Sequence, residues 1–177
     1  DKLLEMLAKY NLTSRNSPVI IQSFEVANLK YLRTKTPVRI VQLIDADDVA
    51  NDGKLTFTDA QLRNIATYAD GIGPWKRYIV TVRMVDANGD GKPDDVNNDG
   101  RIDDRDKTAV VSDLIERAHR ACLFVHAYTF RNEANQLAGD YKGDPAAEFV
   151  QFFRLGVDGV FTDFSVAARR AASFNLP

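Results

Sequence analysis

The sequence predicts an α/β fold built on a parallel sheet, and three observations lead there. Four short runs are rich in apolar, aromatic and β-branched residues, as buried strands require: VIIQSFE at Val19–Glu25, RIVQLID at Arg39–Asp45, LFVHAYTFR at Leu123–Arg131 and VDGVFTDF at Val157–Phe164. Helical patterns separate the runs, and strands that alternate with helices make a parallel sheet. Each run ends in polar groups able to bind something, at the C-terminal strand ends where ligands sit in such sheets.

Composition narrows the class. A chain of 177 residues is most simply one domain, or most of one, and a hydrophobic fraction of 45% is ordinary for a globular core. A net charge of −2 gives no global attraction to nucleic acid or to an anionic membrane. No apolar run approaches the length of a membrane span. The lone Cys122 excludes an internal disulfide; just before an apolar strand, it is expected to be a buried, inert thiol. The chain opens at Asp1 directly into a helical pattern, as a fold entered partway would.

In order, DKLLEMLAKYNL reads as an amphipathic helix with Leu3, Leu4, Leu7 and Tyr10 near one face. TSRNSP turns into the first strand. There Gln22 shares a face with Ile20 and Phe24, either as a satisfied structural glutamine or as a ligand contact at the strand end. Val26–Arg33 is a short helix ended by Thr36-Pro37, and Gln42 repeats the mid-strand glutamine in the second strand. Asp48 to Asp59 loosely resembles a calcium loop, but Ala50 fills its third position, so it reads as a turn plus a cap. Thr58 or Asp59 would cap the helix DAQLRNIATYA. ADGIGPWKRYIV then reads as a short strand and a tight turn.

The most polar segment is DANGDGKPDDVNNDGRIDDRD, and two overlapping calcium-loop frames fit it. The better frame places Asp95, Asn97 and Asp99 at positions one, three and five and Gly100 at the sharp turn. Arg101 stands at seven, Ile102 at eight, Asp103 at nine and Asp106 at twelve. The other offers Asp86, Asn88 and Asp90 with Gly91, then Asp94 and Asn97. A hard cation needs six or more oxygens on a loop that folds back on itself, and glycine permits the reversal. Asn97 belongs to both frames, so they form a shared or paired site rather than two independent loops. Without a bidentate Glu at position twelve, the segment resembles a structural calcium clamp of the dockerin or thrombospondin-repeat kind. The expectation is a calcium-binding insertion over residues 86–106; the plainer reading is a solvated acidic loop.

Thr108–Cys122 reads as a helix whose apolar side runs through Val110, Leu114, Ile115, Ala118, Ala121 and Cys122, with His119 exposed or capping. On the strand that follows, Phe124, His126, Tyr128 and Phe130 share one large, amphipathic face suited to a pocket or barrel interior. Leu123, Val125, Ala127 and Thr129 share the other, suited to packing under helices. His126 fits a core histidine better than a catalytic one, and Tyr128 is the better ligand contact. Residues 132–149 read as a polar rim loop, Ala146–Leu155 as a helix capped by Gly156, and SVAARRAASF as a closing helix that packs through Val166, Ala167 and Ala171.

Taken together and in order, VIIQSFE, RIVQLID, YADGIGP, VHAYTFR and GVDGVFTDF resemble the C-terminal half of a glycerophosphodiester phosphodiesterase of the bacterial periplasmic type. The resemblance covers nearly the whole chain except the acidic insert. It implies a TIM-type (β/α) barrel, residues 1–177 supplying the C-terminal part, and a calcium-dependent hydrolysis of glycerophosphodiesters to an alcohol and glycerol 3-phosphate. The family's metal-binding carboxylates and acid/base histidines belong to an HRG motif, an ExD motif, a later His and a later Glu; this sequence matches none of them, so no catalytic residue is assigned. Carry-over places Gln22 and Phe24 near the substrate, puts Tyr128 where many members have a Trp, sets Arg131 on the rim within reach of a phosphate, and makes Asp163 structural at the barrel closure.

A half barrel would expose two parallel strand edges, so the expected partner, besides a small glycerophosphodiester, is an N-terminal half carrying the catalytic motifs. Nucleic acid is not expected as a partner. Two other readings compete: a non-catalytic, calcium-stabilised extracellular binding module, and a doubly wound α/β domain with helices on both faces. Structural calcium loops work where calcium is near millimolar. With the resemblance, this points to the periplasm or secretion.

Overall fold

The computed structural model describes residues 2–45 and 56–173. Among them run seven strands, β1 (Ile20–Ser23), β2 (Arg39–Ile44), β3 (Gly71–Pro74), β4 (Val80–Met84), β5 (Lys107–Val111), β6 (Phe124–Phe130) and β7 (Gly159–Thr162). Six α-helices accompany them: α1 (Lys2–Lys9), α2 (Val26–Arg33), α3 (Asp59–Ile65), α4 (Leu114–Arg120), α5 (Pro145–Arg154) and α6 (Ser165–Ser173). All four runs expected to be strands are strands, and α2 has the bounds read from its pattern.

The main sheet has the order β1-β2-β3-β6-β7, parallel throughout. That order never reverses. Right-handed crossovers that always step in one direction place every helix on the same face, so the sheet is singly wound and curls as a half-barrel. The doubly wound reading, which needs a reversal point, gives way to it.

Alternation divides the two faces. Ile21, Ile40, Ile44, Ile72, Val125 and Ala127 are buried against the helices, where Leu29, Leu62, Ile65, Leu114, Ala118, Phe149 and Phe152 complete the core. The opposite, concave face carries Ile20, Gln22, Arg39, Leu43, Phe124, His126 and Phe161. Its glycines make room for them. A Cβ at Gly73 would lie 2.6 Å from a Leu43 methyl, and one at Gly159 would lie 2.7 Å from the His126 ring.

Several expectations are corrected. Thr108–Val111 is not helical: KTAVV is β-branched and pairs antiparallel with VTVRM, from Val80↔Val111 to Met84↔Lys107. The acidic segment is therefore the tip of a hairpin, and α4 starts only at Leu114, after the Ser112 hydroxyl accepts the Leu114 amide at 3.3 Å. Cys122 is exposed, because it adopts φ 59° in the left-handed turn after α4 and leaves that helix's apolar side. On α1, Leu7 is buried and Leu4 packs on the core, but Leu3 and Tyr10 are exposed. On α6 the buried residues are Ala168 and Ala171, with Ala167 packed beside them and Val166 exposed.

Phe130 does not share the face of Tyr128. The register with β7 shifts between Ala127 and Phe130, and that irregularity turns Phe130 under α5, onto Phe149 and Phe152. Residues 132–149 also do more than line a rim. Leu137, Ala138 and Tyr141 form a small second core with Val82 and Ala109 of the hairpin. Gly139 meets Arg105 so closely that a Cβ there would lie 2.3 Å from the Arg105 carbonyl oxygen. The stretch at Asp48–Asp59 lies partly outside the described residues; within them, Thr58 caps α3 with a complete capping box to Gln61.

Candidate functional site

The C-terminal ends of the parallel strands open on a hollow of about 230 Å³ lined by Gln22, Phe24, Leu43, Tyr128, Thr129 and Phe161. Three of the four residues expected to meet substrate therefore come together there. Phe24 and Tyr128 touch edge to face, with centroids 6.2 Å apart. The Tyr128 hydroxyl donates to the Ile44 carbonyl at 2.8 Å, which fixes the ring across the mouth of β2. Trp75 pairs with Tyr128 in a parallel bridge, and its amide donates to the same Ile44 carbonyl at 3.0 Å. The two glutamines part company. Gln22 pairs in register with Val41, and Gln42 with Ser23, so the side chains point to opposite faces. Gln42 is buried on the helix side and donates to the Phe24 and Leu43 carbonyls at 3.2 and 2.8 Å, holding the end of β1 in place.

Arg131, the fourth expected contact, does not line this hollow. It is exposed on the rim and its Nε donates to Glu133 at 3.1 Å. That guanidinium holds Glu133 well below the usual carboxylate range, at about 2. Asp163 is exposed beside the start of α6 and lines a separate depression with Asn132, Ser165 and Arg170.

A larger hollow of about 480 Å³ continues down the concave face, lined by Ile20, Gln22, Arg39, His126, Gly159 and Phe161 among others. Burial pushes His126 below its ordinary value near 6.5; Asp158 opposes that and Arg39 reinforces it. His126 is therefore neutral at pH 7, as a core histidine would be. A depressed value means the folded state binds the proton less readily than the unfolded state. The stability this contributes is present above pH 6.5 and is lost as pH falls through the folded value. Ring-proton NMR should give His126 a midpoint below 6.5; a midpoint above 6.5 would contradict the burial that sets it.

The strongest charge pairing at this end had no local signal. Lys76, in a one-turn 3-10 helix at Lys76–Tyr78, places its Nζ 2.8 Å from both carboxylate oxygens of Glu148 on α5, and the two residues are 4% and 1% exposed. Its neighbour Arg77 donates to Asp104 at 3.0 Å and to the Gln136 carbonyl at 3.2 Å, and Tyr78 donates to the Asp45 carbonyl at 3.0 Å. Three consecutive buried side chains thus bolt α5, the base of the acidic insert and the end of β2 to the strand end beside Trp75.

In the insert, the two frames fold alike. The first-position carboxylates of Asp86 and Asp95 accept the amides of positions five and six, Asp90 and Gly91 in one frame and Asp99 and Gly100 in the other. Asn88 accepts from Asp90 and Asn97 from Asp99. Asp90 accepts from Lys92, and Asp99 from Arg101. Gly91 and Gly100 make the reversal at φ 84° and 81°. Asp106 is fully buried and accepts the amides of Val96, Asn97 and Asp103. Arg105 bridges Asp99 and Asp103 at 2.6 and 2.7 Å and holds Asp103 down at about 2. Among the described residues, no three His, Cys, Asp or Glu side chains converge as metal ligands do.

The family model described as the glycerophosphoryl diester phosphodiesterase family matches residues 2–167. The chain is 34% identical over 178 residues to the glycerophosphodiester phosphodiesterase GDPD6 of Arabidopsis thaliana, covering 93% of this chain and 42% of that protein. It is 33% identical over 170 residues to a glycerophosphodiester phosphodiesterase of Bacillus subtilis (strain 168), covering 93% and 41%. Among solved structures it resembles a protein from Silicibacter pomeroyi DSS-3, provisionally described as a glycerophosphoryl diester phosphodiesterase. The TM-score is 0.59 at 15% identity, over 97% of this chain and 42% of that one. The chain thus spans about two fifths of the length of each of these proteins.

Proposed function

Because the chain belongs to the glycerophosphoryl diester phosphodiesterase family, we propose that it forms the substrate-facing part of a hydrolase that splits glycerophosphodiesters into an alcohol and glycerol 3-phosphate. The observation that carries this reading is the gathering of Gln22, Phe24 and Tyr128 in one hollow at the C-terminal strand ends, where barrel enzymes do their chemistry. Gln22 binds a substrate hydroxyl or phosphate oxygen, while Phe24, Tyr128 and Phe161 pack against the glycerol carbons. Arg131, released from Glu133, reaches an anionic group that crosses the rim. Neither concave hollow is lined by a carboxylate, so the acid/base groups come from the strands that complete the barrel, an N-terminal half carrying the catalytic motifs.

We further propose that the insert binds calcium and is distinct from any catalytic ion. Asp95, Asn97, Asp99, Asp103, Asp106 and the Arg101 carbonyl would hold one ion; Asp86, Asn88 and Asp90 belong to the paired frame. A carboxylate oxygen that accepts one amide keeps a second lone pair, as Asp95 Oδ2 and Asp99 Oδ1 do; Asp86 Oδ1 and Asp106 Oδ1 each accept two amides and would have to give one up, and the ion would displace Arg105 from Asp99 and Asp103. Bound calcium would stiffen the loop. Such clamps fill where calcium is near millimolar, which supports the periplasm or secretion as the site of action.

The test is release of glycerol 3-phosphate from glycerophosphocholine by the chain joined to its completing strands, with calcium and then with excess chelator. Calcium-dependent turnover, reduced at least tenfold by Gln22→Ala, is the expected result. A folded, calcium-loaded protein without turnover would overturn the enzyme reading. It would leave a calcium-stabilised extracellular binding module as the remaining reading.

A further inference from the structure

We propose that a further hollow, between α2 and α3, takes the alcohol arm of the glycerophosphodiester and selects an uncharged, polyhydroxyl alcohol; this rests on the reading above, that the chain binds such diesters. The hollow measures about 240 Å³ and is lined by Phe24, Phe57, Gln61, Asn64, Ile65 and Tyr68 among others. Phe24 also lines the hollow at the C-terminal strand ends that holds the glycerol carbons. The two spaces therefore adjoin at one ring. A phosphodiester joins two alcohols, so a molecule with its glycerol on one side of Phe24 has a second arm to place on the other.

The polar groups of this hollow suit hydroxyls. The Gln61 side-chain oxygen accepts the Thr58 amide at 2.7 Å and the Thr58 hydroxyl at 3.0 Å. That fixes which way the Gln61 amide points and leaves its NH2 to donate. The Tyr68 hydroxyl donates to Gln42 over a long 3.4 Å, and its lone pairs remain to accept. Asn64 is exposed on α3, and its described hydrogen bonds run through its backbone carbonyl. Its side-chain amide is left to donate and accept together, as a hydroxyl does.

Charge argues against a cationic alcohol such as choline. None of the described residues lining the hollow is charged. A quaternary ammonium is held by aromatic faces, and here those faces are engaged. The Lys30 ammonium lies 5.1 Å from the Tyr68 ring centre, and Arg33 donates to the Tyr68 carbonyl at 3.1 Å. Phe57 packs on Tyr78, with centroids 5.4 Å apart. A second cation at Tyr68 would meet the first one's repulsion, whereas a neutral polyol meets only amides, a hydroxyl and apolar walls.

Two readouts test the assignment. In the first, the full chain is titrated with glycerophosphoinositol and, separately, with glycerophosphocholine, and the side-chain amide signals of Asn64 and Gln61 are followed by NMR. The inositol diester is expected to move both signals and to bind about fivefold more tightly than the choline diester. In the second, kcat/KM for each diester is measured with the chain joined to its completing strands, and the inositol-to-choline ratio is taken so that losses common to both substrates cancel. Asn64→Ala, at an exposed helix position that alanine suits, should lower that ratio about fivefold. Asn64→Asp should lower it further, because its carboxylate attracts the choline cation. Circular dichroism confirms the fold of each variant. Amide signals that neither diester moves, equal affinity for the two, or a ratio that neither variant changes would each overturn the subsite. If the Asn64 signal moves with the inositol diester while the joined protein turns over neither substrate, the enzyme reading fails and the polyol subsite stands.

Discussion

Replacing Lys76 with methionine is expected to destabilise the chain by about 3–5 kcal/mol, because it strands Glu148 as a buried charge. Both groups lie under the strand end, and Nζ is 2.8 Å from each Glu148 oxygen. Burial pushes Lys76 down and Glu148 up, and the attraction between them opposes both shifts. Removing the ammonium takes away the main opposition to the upward push on Glu148, leaving the weaker pull of Arg77 against it. A carboxyl whose folded value is raised contributes stability that is present below its unfolded value and lost as pH rises through the folded one. The loss in Lys76→Met should therefore be larger at pH 7 than at pH 4. Denaturant unfolding of three proteins decides the matter: wild type, the single variant, and Lys76→Met/Glu148→Leu, which should recover most of the stability. A double variant no better than the single would show that the pair is not what the site depends on. The effect reaches the hollow because Lys76 follows Trp75 directly, and Trp75 is bridged to Tyr128.

Phe130→Ala should cost a similar amount, about 3–5 kcal/mol, by opening a cavity under α5. Phe130 is fully buried, stacked on Phe149 at 5.0 Å and set edge-on to Phe152 at 4.8 Å. The Lys76 ammonium also lies 5.4 Å from its ring centre, so the losses from Phe130 and Lys76 should not add. Thermal unfolding of both single variants and the double measures that coupling. A loss below about 1 kcal/mol for Phe130→Ala would place the ring on the open hollow, as uninterrupted alternation along the strand predicts.

Those two residues show where the sequence stops being legible. The strands were readable because short, β-branched, apolar runs have few other fates. The parallel arrangement followed from the helices between them. The paired Asp/Asn/Gly frames were readable as loops because a glycine reversal and its neighbouring oxygens lie within a few residues of one another. Faces and partners were harder. Gln22 and Gln42 have near-identical neighbours, and only the register between β1 and β2 sends one to the hollow and the other to the helices. Phe130 left its expected face through an irregularity that strict alternation does not contain. Lys76 and Glu148 are 72 positions apart, and a lysine in WKRY looks like any solvated lysine until the fold buries it. The valines and alanine at Thr108–Val111 fit a helical stripe as well as a strand, and only pairing with β4 decides between the two. Arg39 opened an apolar strand and gave no sign that its Nε would be buried without a hydrogen-bond partner among the described residues.

The hairpin has a consequence for how this fold tolerates change. Met84 and Lys107 are cross-strand neighbours, so the intervening chain leaves and returns at one point, and its closure entropy is charged to that stem rather than to the barrel. Doubling the length of such a loop costs only about 0.6 kcal/mol. The stem has its own footing in Leu137, Ala138 and Tyr141. The length of the loop can therefore vary while the parallel sheet, and the hollow at its mouth, are insulated from the variation.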